Sequence, residues 1–128
     1  MESILLSINP EYVERIFAGS KKYEFRKRLA NRTVNKILMY STAPIMKVVG
    51  EAEVVKTISS SPSALWEYTK EFAGISRDKY RKYFKGCKVA YAYQLGEIIQ
   101  YDPPKELSEF NISLPPQSFI YLSIDDSI

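Results

Sequence analysis

Apolar positions along this chain change their period several times, and each change marks an element. Residues 4–8 are a short, nearly unbroken apolar run, which reads as a buried strand. Asn9 and Pro10 then open a helix, because Asn caps an N-terminus well and Pro suits the first helical position. Tyr12, Val13, Ile16 and Phe17 recur at helical spacing, and Gly19 fits the C-terminal cap. Residues 22–28 alternate instead. Tyr23 and Phe25 fall on one side and Glu24, Arg26 and Arg28 on the other, as in a strand with an apolar back and a charged front. Residues 35–42 predict a buried central strand that Pro44 breaks. Residues 46–58 predict a long strand in which Gly50 marks a bend or bulge.

The second half continues in the same manner. Leu65, Thr69, Phe72 and Ala73 follow helical spacing and Gly74 ends that helix. Ser76 caps a second short helix carrying Tyr80, Tyr83 and Phe84, ended by Gly86. Residues 89–101 predict another long strand, stopped by Asp102, Pro103 and Pro104. A helical turn over 105–110 and a last strand over 119–124 complete the chain. The order β-α-β-β-β-αα-β-β predicts an α+β fold: one domain over 1–128, a mostly antiparallel, closed or nearly closed barrel with an N-terminal helix and a helical insertion.

Composition narrows the chemistry. The chain has 128 residues and no stretch apolar enough for a transmembrane helix, and its start lacks the basic segment of a signal peptide, so a cytoplasmic protein with no membrane partner is expected. There is no histidine and only one cysteine, Cys87, read as a small buried hydrophobe. Zinc, any other metal site and a Ser-His-Asp triad are therefore not expected, and no cofactor is implied. Charge is unevenly spread. Residues 21–36 hold seven basic residues against Glu24, residues 77–88 hold six against Asp78, and residues 97–128 hold one base against six acids. A polarised surface of this kind attracts phosphates, although two solvated faces kept for solubility would give the same count.

The segment Gly19-Ser20-Lys21-Lys22-Tyr23-Glu24-Phe25-Arg26 is the most unusual. Glu24 and Arg26 share a strand face, whereas Lys21 stands at an odd offset and must sit in the turn after Gly19 to reach them. If all three converge, two cations hold Glu24 ionised, and acceptor and donors stand side by side for a base edge, an amide or a phosphate. An exposed ion-pair ladder is the alternative. Gln117 and Ser118 follow two prolines that stiffen the backbone, so the Gln amide could read a base edge or merely begin a strand. Ser41 and Thr42 end a central strand and could line the same cleft. Tyr40, Tyr91, Tyr93 or Trp66 could stack on a base or belong to the core. Lys22, Arg28, Arg77, Arg81 and Lys85 could follow a nucleic-acid backbone. Glu51 and Glu53 share a strand face and would be acid/base candidates if they approached Lys21.

Gly19, Lys21, Glu24 and Arg26, placed between an amphipathic helix and an alternating strand, resemble the signature of the ASCH superfamily. The opening residues 4–12 and the later Leu114-Pro115-Pro116-Gln117-Ser118-Phe119 are similar to its members too, most closely to the stand-alone prokaryotic branch described as transcriptional regulators. The resemblance covers nearly the whole chain. It implies a PUA-like barrel, related to PUA, EVE and YTH domains, with a cleft for RNA, another nucleic acid, or a nucleoside or nucleotide. One ASCH branch hydrolyses acylated cytidine without a metal, with a Lys, a Thr and a Glu. Lys21 matches that Lys, but Glu24 occupies the Thr position and cannot serve as the same nucleophile. The family Glu would correspond to Glu51 or Glu53. The expected function is therefore nucleic-acid or nucleotide binding by Lys21, Glu24 and Arg26. The alternative is an amidohydrolase on a modified nucleoside using Lys21, Glu24 and Glu53. Ribonuclease activity, linked to other members, stands further off.

Overall fold

The computed structural model describes residues 2–122. The elements run β1 (Ser3–Ile8), α1 (Pro10–Ala18), β2 (Tyr23–Arg26), β3 (Lys36–Ser41), β4 (Lys47–Ser60), α2 (Pro62–Thr69), a 3-10 turn (Lys70–Phe72), α3 (Arg77–Tyr83), β5 (Ala90–Lys105), a second 3-10 turn (Leu107–Phe110) and β6 (Phe119–Leu122). The six strands form one curled sheet in the order β2-β5-β4-β3-β1-β6. Only the β1–β3 ladder is parallel, with Ile4 opposite Ile37 and Leu6 opposite Met39. The sheet is a half-barrel: among the described residues its end strands β2 and β6 share no ladder.

The local signals explain these elements. The Asn9 side chain accepts from the Glu11 N–H, Pro10 takes the first helical turn, and Gly19 closes α1 at φ +86°, a backbone that disfavours side chains. Ser76 caps α3 by accepting from the Lys79 N–H. β1 is apolar throughout because both its faces are covered. Ile4, Leu6 and Ile8 pack with Val13 and Ile16 of α1, while Leu5 packs on the opposite face with Leu38, Tyr40 and Val48. Each such side chain stabilises the fold by about 1.5–3 kcal/mol. A third cluster joins Phe25 of β2 to Leu65, Tyr80 and Phe84 of the helical insertion. Gly50 sits at a register shift, where a Cβ would stand 3.0 Å from the Phe17 ring and overlap the Ile99 carbonyl.

Three expectations need correction. β5 does not stop at Asp102. It runs through Pro103 and Pro104 to Lys105, because the register shifts there, with Val48 opposite Lys105 and Gly50 opposite Gln100. Prolines, which cannot donate to a ladder, are tolerated at such an irregularity. β2 is shorter than expected and its charged front is not solvated, since Glu24 is buried; Arg28 lies beyond the strand and is exposed. Of the last strand, residues 123 and 124 lie outside the described residues, as do Asp125 and Asp126 of the acidic tail. Among the described residues no helix is long and apolar enough to cross a membrane.

Candidate functional site

The end of β1, the start of α1, β2 and α3 surround a cleft of about 500 Å³. Its lining includes Ser7, Asn9, Tyr12, Lys21, Glu24, Phe25, Arg26, Ile75, Lys79, Lys82 and Tyr83. Lys21, Glu24 and Arg26 thus reach one place. Lys21 escapes the alternation of β2 by preceding it and forming an isolated antiparallel bridge with Ala73.

Lys21 is 3% exposed. Its Nζ donates to the Ala73 carbonyl at 2.9 Å and lies 5.2 Å from the Tyr12 ring centre and 4.8 Å from that of Phe25. Burial lowers its pKa from 10.5 to about 8. The Glu24 charge pulls it back up, and Arg15 and Arg26 push it down. Arg26 holds Glu24 at 3.0 Å, and the same nitrogen donates to the Ser7 carbonyl at 3.0 Å. The buried Arg26 Nε has no hydrogen-bond partner among the described residues, which leaves a spare donor. The site therefore combines a buried amine near its titration point, a carboxylate fixed by a guanidinium, and two tyrosine rings.

Other residues singled out from the sequence stand elsewhere. Ser41 is buried beside Ile8, and the Thr42 N–H donates to the Ile8 carbonyl; neither lines the cleft. Gln117 and Ser118 are outside it as well. The Ser7 hydroxyl donates to the Pro116 carbonyl at 2.7 Å, which holds their segment at its margin. Glu53 is exposed on β4 and accepts from the Glu97 N–H, so it does not join Lys21 in an acid/base set. Glu51 accepts from the Tyr101 hydroxyl at 2.8 Å and pairs with Lys36 at 2.9 Å. Burial raises its pKa, but these two partners together hold it below the usual range. Tyr40 and Tyr93 are core; the Tyr93 hydroxyl accepts from the Ala30 N–H. Tyr91 is half-buried in β5, and Cys87 is half-buried against the insertion cluster. Lys22 lies over the Phe72 ring, and Lys85 is exposed beyond α3. Among the described residues no three His, Cys, Asp or Glu are grouped to hold a metal ion.

Sequence reasoning missed Tyr12, Tyr83, Lys79 and Lys82. The helical spacing separates Lys79 and Lys82 from Arg77 and Arg81, so two basic faces were readable. Which face meets β2 is a long-range matter. Arg77 and Arg81 line instead a second cleft, of about 380 Å³, with Trp66, Tyr80 and Phe84 between α2 and α3.

A curled, six-stranded α+β sheet with one helix before and two helices within it is the ASCH-like, PUA-like architecture. The crystal structure of ASCH from Zymomonas mobilis superposes with a TM-score of 0.88 at 28% identity, covering 98% of this chain and 90% of that one. The chain belongs to the family described as Domain of unknown function (DUF365), which matches residues 1–114. An "ASCH domain-containing ribonuclease" of Zymomonas mobilis is 29% identical over 127 residues, 96% of this chain and 86% of that protein. The "ATP synthase subunit alpha" of Ureaplasma parvum is 34% identical over 122 residues, but this chain spans only 15% of its length.

Proposed function

We propose that the Lys21 cleft binds a nucleotide of an RNA strand. The observation that carries this reading is the convergence of Lys21, Glu24 and Arg26 beneath Tyr12 and Tyr83. Glu24 can accept from an exocyclic amino group of a base, the tyrosine rings offer stacking faces, and Arg26, Lys79 and Lys82 suit phosphate. The relative named a ribonuclease supports RNA as the strand. Anisotropy of a labelled single-stranded RNA titrated with the protein tests this. Binding should weaken steeply with salt, with a log–log slope of about −0.7 per phosphate contacted. A flat titration at low salt would sink the reading. Duplex DNA in the same assay tests the finer expectation of a transcriptional regulator, which requires it to compete.

A second reading, RNA cleavage in this cleft, is favoured by the lowered pKa of Lys21. A neutral amine can take the proton of a 2′-hydroxyl; the 2′-oxygen then attacks the adjacent phosphorus, the 5′-oxygen leaves, and Arg26 offsets charge on the non-bridging oxygens. Wild type should cleave faster as pH rises through about 8, and Lys21→Met should not. Equal rates for the two proteins would end it. Hydrolysis of an acylated nucleoside fits less well, because Glu53 is elsewhere and the Ser7 hydroxyl is committed to Pro116.

A further inference from the structure

We infer that the cleft between α2 and α3 is a second nucleotide site, and that one RNA strand crosses α3 to occupy both clefts; this rests on the nucleotide reading of the first. α3 is the wall they share. Lys79 and Lys82 face the Lys21 cleft, and Arg77 and Arg81, one turn apart, face the other. A helix with its side chains is about 10–12 Å across, so a short single strand can pass from one cleft to the other.

The second cleft has the parts for a base and its phosphates. Trp66 is half-buried on its wall and packed against Tyr80, with ring centres 4.9 Å apart, which holds the indole in place. The Tyr80 hydroxyl donates to the Pro62 carbonyl at 2.7 Å and ties α3 to α2, so the cleft is fixed in shape. Among the described residues Arg77 and Arg81 are exposed and make no ion pair, whereas the one acid on this rim, Glu67, is held by Lys70 at 2.8 Å. The rim is therefore left with a positive balance suited to phosphate.

Trp66 is the chain's single tryptophan, so its emission reads this cleft alone. A single-stranded RNA oligonucleotide added to the whole chain should quench it as anisotropy rises. Arg77→Ala with Arg81→Ala, both exposed, should weaken oligonucleotide binding about ten-fold and reduce the salt slope by about 1, while mononucleotide binding in the Lys21 cleft stays unchanged. If the oligonucleotide binds and is lost with Arg26→Ala, yet Trp66 emission and the double-arginine variant match the controls, this inference falls and the first cleft stands. If no RNA binds in any arm, both fall.

Discussion

The Lys21 side chain ends at the Ala73 carbonyl, 2.9 Å away, and the two residues also pair through their backbones. This link joins the amine of the cleft to the segment that follows α2. It also sets the amine's chemistry, since the burial it imposes is the main cause of the lowered pKa.

Stability should therefore depend on pH through Lys21. Its pKa is about 8 when folded against 10.5 ordinarily. Between those values the unfolded chain holds a proton that the folded chain has released, so stability rises with pH; below about 8 both are protonated and the cost is constant. Wild type should gain about 3 kcal/mol relative to Lys21→Met across this window, measured by urea unfolding at neutral pH and near pH 10.5. Tyr80, pushed up to about 12 by burial, works in the opposite sense above pH 10, but it is common to both proteins and cancels. Parallel pH curves would refute the assignment.

Gly74 allows the Lys21–Ala73 approach. It has φ +63°, and a Cβ there would come within 2.6 Å of Lys21 Cγ. Gly74→Ala should destabilise by about 2–4 kcal/mol, from backbone strain and overlap together, and should weaken RNA binding. Gly86 has φ +82° with nothing near its would-be Cβ, so Gly86→Ala should cost only about 1–2 kcal/mol and leave binding intact. Thermal melts of both variants separate strain from overlap.

Arg26 and Glu24 form a mostly buried pair. Arg26→Leu alone leaves the Glu24 carboxylate without its cation and should cost about 3–5 kcal/mol. Adding Glu24→Gln should recover most of that loss, because the remaining amide carries no charge. A double-mutant cycle by chemical denaturation measures the coupling, and additive losses would mean that the pair is not a unit.

Glu53→Ala should change stability by less than about 0.5 kcal/mol and leave RNA affinity unaltered, since Glu53 is exposed and outside the cleft. A large loss of affinity would extend the site onto β4.

Local chemistry made much of this readable. Asn9, Pro10 and Gly19 bounded α1, and Ser76 and Gly86 bracketed α3, because caps act within a turn or two of sequence. Alternation placed Glu24 with Arg26. Less was readable wherever distant segments meet. No spacing rule brings Tyr12 of α1 opposite Tyr83 of α3. The end of β5 was misjudged because Pro103 and Pro104 stop a regular ladder, whereas this ladder is irregular there. Gln117 carried the right chemistry for a base edge, but its place depends on Ser7 holding Pro116, a contact between opposite ends of the sequence.

The position of β2 at the margin of the sheet also governs when the cleft can exist. Its ladder is with β5, where Tyr23 meets Gln94 and Arg26 meets Tyr91. During synthesis, Glu24 and Arg26 must wait about seventy residues for the strand that orders them. The nascent chain can complete α1 early, yet it acquires its binding site only when nearly finished, which keeps partly made copies from competing for RNA.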